Sequence, residues 1–172
     1  MRTIIVASYD PAWPAEFERI RAWLWPQISE LALDIQHVGS TSVPGLAAKP
    51  IIDFNIVIES YDVFPRVKER LECLGYIHEG DLGVPTREAF KPTQPDDFMA
   101  YHMYICPKDS LELRRQMAFR DWLRCNDDDR DAYAALKRLN AKKHPHDIDA
   151  YIAGKSDLVE EVLRKCSSTP SV

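Results

Sequence analysis

Apolar positions in the first third of the chain follow two rhythms. Phe17, Ile20, Leu24, Ile28 and Leu31 recur at three- and four-residue steps, the stripe of a helix with one buried face. Asp10-Pro11 supplies an N-cap followed by proline at the first helical position. Pro26, inside the stripe, predicts a kink or a split. Ahead of this helix "TIIVASY" reads as a short apolar strand. After it, "DIQHVGS" predicts a strand running into a tight turn, and "TSVPGLAAK" a loop or one helical turn. In "PIIDFNIVIE" the rhythm changes to two. Ile52, Phe54, Ile56 and Ile58 share one face; Ile51, Asp53, Asn55 and Val57 share the other. The two polar groups therefore point the same way, about 6.6 Å apart along the strand.

Phe64, Val67, Leu71 and Leu74 mark a second helix, stopped by Gly75. "YIHEGDLGVPTREAFKP" reads as strand, Gly/Pro-containing loop and strand, and "DFMAYHMYIC" as a further strand. After Pro107 the pattern predicts helices over 109–125, 128–142 and 156–166, with Ser156 as the cap of the last. The order predicts an α+β fold with a helical C-terminal part. With 172 residues the chain is read as a single domain, 1–172. Its core would span about 1–107, its helical part 108–166 and a frayed tail 167–172.

Composition narrows the function only by exclusion. The chain is 45% hydrophobic and 28% charged, the balance of a globule and not of a disordered segment. A net charge of −5 disfavours a nucleic-acid binder driven by phosphate contacts. Cys73, Cys106, Cys125 and Cys166 form no CxxC pair, and no signal peptide or membrane-spanning run is seen. The reading is reduced thiols in a cytoplasmic protein with no membrane partner.

Asp53 is the anomaly, because an unpaired carboxylate in a buried strand costs several kcal/mol. Twelve residues, Thr41 to Ile52, separate it from Gly39-Ser40. A glycine turn at a strand end lets backbone N–H groups approach an anion, and a hydroxyl beside it adds a bond to a phosphate oxygen. A carboxylate on the next strand can hold Mg²⁺, which takes one or two carboxylates plus phosphate oxygens and water. Together these parts make a nucleoside triphosphate site. Singly, Gly-Ser is also a helix-capping turn, and Asp53 is also a partner for Lys49 or an arginine.

The segment from Gly39-Ser40 to Asp53-Phe54-Asn55 resembles the signature of the polymerase-beta-type nucleotidyltransferase superfamily: Gly-Ser, a spacer, then Asp-x-Asp or Asp-x-Glu on a strand. More broadly, "YDPAWPAEFERI", "HVGSTSVPGLAAKPIIDFNIVI", "LGYIHEGDLGVPTREAFKP", "HMYICPKDSLELRRQMAFRDWLR", "AYAALKRLNA" and "IDAYIAGKSDLVEEVL" resemble the GrpB (UPF0157) family, over roughly residues 8–166. The resemblance implies a nucleotidyltransferase-like fold, a mixed β-sheet flanked by helices. It also implies a link to nucleotide metabolism, since relatives occur fused to dephospho-coenzyme A kinase. Where active transferases carry a second acid this chain has Asn55, and on the strand expected to supply a third it has His102. Two ions roughly 3.5–4 Å apart need several carboxylates, so at most one Mg²⁺, on Asp53, is expected.

In the transfer reading Asp53, Asn55 and His102 form the catalytic set, moving a nucleotidyl group from an NTP to a small molecule. Gly39, Ser40, Lys49, Arg87, Arg120, Lys137 and Lys155 are the phosphate-binding candidates. Arg120, Lys137 and Lys155 stand at positions matching the family's motifs, and Arg87 follows a Gly/Pro loop able to cover a cleft. In the alternative reading the same cleft, short of acids, binds a nucleotide or a coenzyme A-like ligand without chemistry. A hydrolase built on His102 and Asp53 is the third possibility. His37, the "HPH" run at 144–146 and the acids of "NDDDRD" read more simply as structural, exposed and helix-starting residues. The four tryptophans read as packing residues.

Overall fold

The computed structural model describes residues 3–168. A 17-residue helix, α1 (Ala12–Ile28), precedes β1 (Asp34–Val38), a 3₁₀ turn over Ser40–Ser42 and β2 (Ile52–Ile58). Then come α2 (Phe64–Cys73), β3 (Tyr76–Gly80), β4 (Glu88–Pro92) and β5 (Tyr101–Pro107). Four helices follow: α3 (Leu111–Cys125), α4 (Asp127–Lys143), α5 (Ile148–Ala153) and α6 (Ser156–Ser168). The strands form one mixed sheet in the order β1-β2-β5-β4-β3, in which β2 and β5 run parallel and every other pair antiparallel. This is the α+β architecture the patterning predicts.

One face of the sheet is apolar because the two-residue rhythm of β2 meets the helical stripe of α1. Ile52, Phe54, Ile56 and Ile58 are fully buried against Trp13, Phe17, Ile20, Leu24 and Ile28, with Met103 and Ile105 of β5 and Val67 and Leu71 of α2 completing the cluster. The opposite face is only partly covered. Leu113 of α3 closes over Val57 and Cys106. A second cluster joins Val43, Leu46 and Ala47 to Leu123, Tyr133, Ala134 and Val162 of the C-terminal helices.

Several local expectations need correction. "TIIVASY" forms no strand; its sole sheet-like contact is the bridge of Ala7 with Ala48. The helix passes through Pro26, which forgoes one backbone hydrogen bond, and ends two residues later at Ile28. Asp10 does cap the start, its Oδ1 accepting from Ala12 N at 2.8 Å. β5 begins at Tyr101, so Phe98 lies outside the strand and packs with Trp23 on the α1 side. α5 has no counterpart in the periodicity, since six residues are too short to display it; its cap, Asp147 Oδ1 accepting from Ala150 N at 3.0 Å, was the visible signal. Ser156 caps nothing and donates back to Ile152 O. Of the expected tail, Ser167 and Ser168 belong to α6, and 169–172 lie outside the described residues. Among the described residues no helix is long and apolar enough to cross a membrane, and the four cysteines are free.

Candidate functional site

The parallel pairing of β2 and β5 sets Asp53 beside His102 and Asn55 beside Tyr104. From there the fates of the two β2 residues diverge. Asp53, its side chain 30% exposed, faces an open hollow and takes a 2.7 Å hydrogen bond from His102 Nδ1. The expected partner, Lys49 or an arginine, is not the one found. Asn55 is 0% exposed. Its Nδ2 donates to Gln116 Oε1 at 2.6 Å, and its Oδ1 faces the Cys106 thiol. It therefore belongs to the seam between sheet and α3 and does not line the hollow.

Gly39 is held against Asp53. Its φ of +69° with ψ of −174° is open only to glycine, and a Cβ there would come 2.4 Å from Asp53 Oδ2. The following turn is tied down by buried polar contacts. Ser42 Oγ donates to Gly39 O, Thr41 Oγ1 donates to Ile51 O at 3.1 Å, and Thr41 also meets His37 Nε2 at 3.1 Å. His37 stacks on Phe17, and burial lowers its pKa to about 4, so it is a neutral structural ring. Two cations from the C-terminal helices meet this turn: Arg124 donates to Ser42 O at 2.8 Å, and Lys137 Nζ donates to Ser40 Oγ at 2.9 Å.

Lys137 comes from the inner stripe of α4, where Tyr133, Lys137 and Asn140 are buried. It is 1% exposed, lies 4.5 Å over the Tyr133 ring and makes no ion pair among the described residues. Burial, reinforced by Lys155 and Arg138 and opposed by Asp53, pulls its pKa down to about 7. Lys155 arrives after α5 because Gly154 lets that turn approach α4: a Cβ at 154 would come 2.6 Å from Asn140 Nδ2. Its ammonium lies over Tyr151 and Tyr133, at 5.2 and 6.0 Å, and burial lowers its pKa as well. Tyr133 and Tyr151 are pushed up to about 12 by burial and stay protonated.

Two adjoining hollows share Ser40, Asp53, Arg87, Tyr104 and Lys155. The first, about 580 Å³, adds Lys49, His102 and Lys137, so four cations surround one carboxylate. Leu82 and Val84 line it too, so the β3–β4 loop does reach over the cleft. The second, about 440 Å³, adds Gly39, Glu112, Gln116, Phe119 and Val159. Arg87 lies 4.2 Å over the Tyr104 ring and 3.9 Å from Glu112, and its Nε is buried without a hydrogen-bond partner.

Arg120 is the correction among the cations. Its guanidinium donates to Gln36 Oε1 and His37 O at 2.9 Å each and pairs with Asp121. It clamps α3 to β1 and lines neither hollow. Lys91 pairs with Glu79 and also stands apart. The sequence reading missed Tyr104, Tyr133, Tyr151, Glu112 and Gln116. The spacing of Tyr133 and Lys137, one turn apart on a helix stripe, was the signal available for two of the walls. Among the described residues no three His, Cys, Asp or Glu side chains cluster as metal ligands.

This arrangement can be set beside known proteins. The family described as GrpB protein matches residues 3–165. The chain belongs to the GrpB family. A UPF0157 protein of Halalkalibacterium halodurans is 37% identical over 97% of this chain and 84% of its own length. A dephospho-CoA kinase of Mycolicibacterium paratuberculosis is 29% identical over 91% of this chain but only 44% of its own. The crystal structure of the conserved protein GrpB from Enterococcus faecalis superimposes with a TM-score of 0.82 at 33% identity, covering 94% of this chain and 96% of that one. The Cid1 poly(U) polymerase with MgGTP bound superimposes with a TM-score of 0.54 at 15% identity, covering 78% of this chain and 44% of that one. That likeness shows a nucleotidyltransferase-like fold and no more.

Proposed function

We propose that the cleft binds the phosphate groups of a small molecule of the nucleotide or coenzyme A class. One observation carries this reading: Lys137, buried, and Lys155, half-buried in the same hollow, make no ion pair among the described residues. A buried ammonium without a counter-ion is destabilising unless an anion joins it. Ser40, Lys49 and Arg87 add donors around the same space. The kinship with a dephospho-CoA kinase and the fold shared with Cid1 favour a ligand with a phosphate chain. In a thermal-shift panel of nucleoside triphosphates and coenzyme A, a ligand at about 100 times its Kd stabilises by about 2.7 kcal/mol. No shift from any member would overturn the reading.

A second reading, nucleotidyl transfer onto a small molecule, is favoured by the placement of Asp53 and His102 on the open side. With Nδ1–H donated to Asp53, the His102 ring keeps Nε2 as an acceptor for the proton of an attacking hydroxyl. Lys137, Lys155 and Arg87 would hold the donor's phosphates, and Ser40 would fix their position. The donor set does not fit a resident pair of Mg²⁺ ions. Asp53 offers one carboxylate already paired with His102, and the amide of Asn55 is turned into the α3 seam. Radiolabel transfer from an NTP panel, compared between the native chain and Asp53→Asn, tests this reading. Binding that is indifferent to EDTA and silent in transfer leaves the binding module alone.

A further inference from the structure

The closed end of the first hollow is built unlike its mouth. Lys137 Nζ ends there against Ser40 Oγ at 2.9 Å and the Tyr133 ring at 4.5 Å, with the residue 1% exposed. Lys155 and Tyr151 stand on the α5 side, Arg138 on the same helix, and Asp53 on β2. Lys49, Arg87 and His102 complete the charged lining of the hollow. Asp53 is the single carboxylate in that lining, and His102 already occupies one of its oxygens. Nothing anionic therefore belongs to Lys137 alone. A corner with two amines and one hydroxyl, closed behind by α4, matches the end of a phosphate chain. A bridging phosphodiester would have to continue through the wall.

We propose that this corner takes a terminal, dianionic phosphate, and that Lys137 gains a proton as the phosphate enters. The proposal rests on the phosphate reading of the cleft. In the free chain burial disfavours the charged amine, which titrates near neutrality. A dianion one contact away reverses that balance, so the ammonium form is bound and the neutral form is not. Binding is then linked to proton uptake, and affinity falls by about tenfold for each pH unit above the free lysine's midpoint. Below that midpoint the affinity is flat. The cleft thus distinguishes a chain end from a diester, and it releases its ligand as the pH rises above neutrality.

Sulfate is a suitable probe, because it stays a dianion across this pH range and any pH dependence belongs to the protein. Its affinity for the full chain, measured by calorimetry in EDTA, should be about a hundredfold weaker at pH 9 than at pH 6. Methyl sulfate, a monoanion capped like a diester, should bind at least about tenfold more weakly than sulfate at pH 6. Lys137→Met should reduce the pH 6 to pH 9 ratio to within about threefold, while Lys155→Met should weaken binding at both pH values and leave a smaller ratio that still exceeds threefold, because Lys137 keeps its buried place. His102→Gln should keep the ratio, separating the lysine from the only histidine in the hollow's lining. Native circular dichroism of each variant shows that the fold is retained. A pH-independent sulfate affinity, a ratio that survives Lys137→Met, or one that vanishes in His102→Gln overturns the proton coupling while leaving the phosphate reading standing. Equal binding of methyl sulfate and sulfate overturns the terminal-phosphate assignment. No binding of sulfate at any pH, together with silence of the nucleotide panel, overturns both.

Discussion

Two ends of one sheet face behave oppositely. Around Asp53 and His102 the face is open, polar and rimmed by cations. Two residues along the same strands, Asn55 is sealed under α3 by Gln116, and Val57 and Cys106 beyond it are packed under Leu113. Backbone pairing is continuous across both regions, so strand geometry does not separate them. The covering helices do. α3 lies over the middle of the face, whereas α4 and the turn after α5 stand back from its start and bring Lys137 and Lys155 instead of an apolar side chain. A polar residue on a strand becomes a site or a seam according to what is laid on top of it.

The sharpest way to break this contrast is to put charge at the sealed end. Asn55→Asp would set a carboxylate against Gln116 Oε1, a fellow acceptor, in a fully buried position. It should destabilise the fold by about 3–5 kcal/mol in urea denaturation and should not restore an acid pair in the hollow. A variant as stable as the native chain would mean that position 55 is open after all. Gly39→Ala tests the join between β1 and Asp53. The positive φ and the 2.4 Å approach to Asp53 Oδ2 together should cost about 3 kcal/mol.

Titration sharpens the comparison further. His37 behind the site carries a pKa of about 4 in the fold against an ordinary value of 6.5. The unfolded chain binds the proton first as the pH falls, so stability present above pH 6.5 is lost on acidification through the window between those values. The loss should be about 2 kcal/mol between pH 6.5 and 4.5, and it should be absent in His37→Gln. Lys137 acts at the other side of neutrality. Its pKa of about 7, against 10.5 ordinarily, means the unfolded chain holds a proton that the fold releases. Stability should therefore rise with pH, by roughly 1.5 kcal/mol between pH 7 and 8.5, and Lys137→Met should flatten that rise. The smallest effect belongs to the open pair. Asp53 and His102 are 30% and 49% exposed, so Asp53→Asn should change stability by less than about 1 kcal/mol while weakening transfer if the cleft performs it.

Much of this was written into local pattern. The alternation of β2, the stripe of α1, the cap at Asp10 and the glycine at 39 each follow from the chemistry of a few neighbouring residues. They place Asp53 on the polar face of a central strand, beside a turn that only glycine can make. The resemblance of "HVGSTSVPGLAAKPIIDFNIVI" to the nucleotidyltransferase signature carried the fold. Local pattern could not tell Asp53 from Asn55, because both occupy one face and period-two alternation carries no information about what covers that face. Nor could it tell Lys137, turned into the hollow, from Arg120, which clamps β1 from a neighbouring helix.

By itself, then, the sequence determined the order of elements from α1 to α4, the apolar side of the sheet and the polar residues offered on the other side. Those follow from spacing along the chain. Tertiary structure alone decided which of those residues stayed open, that His102 would be the partner of Asp53, and that Lys137 of α4 and Lys155 of the turn after α5 would share one hollow with no ion pair of their own among the described residues. These depend on contacts between residues as far apart as Ser40 and Lys137. The physical reason is that burial, which sets the cost of a charge and the pKa of an amine, is a property of the assembled surfaces and not of any one segment.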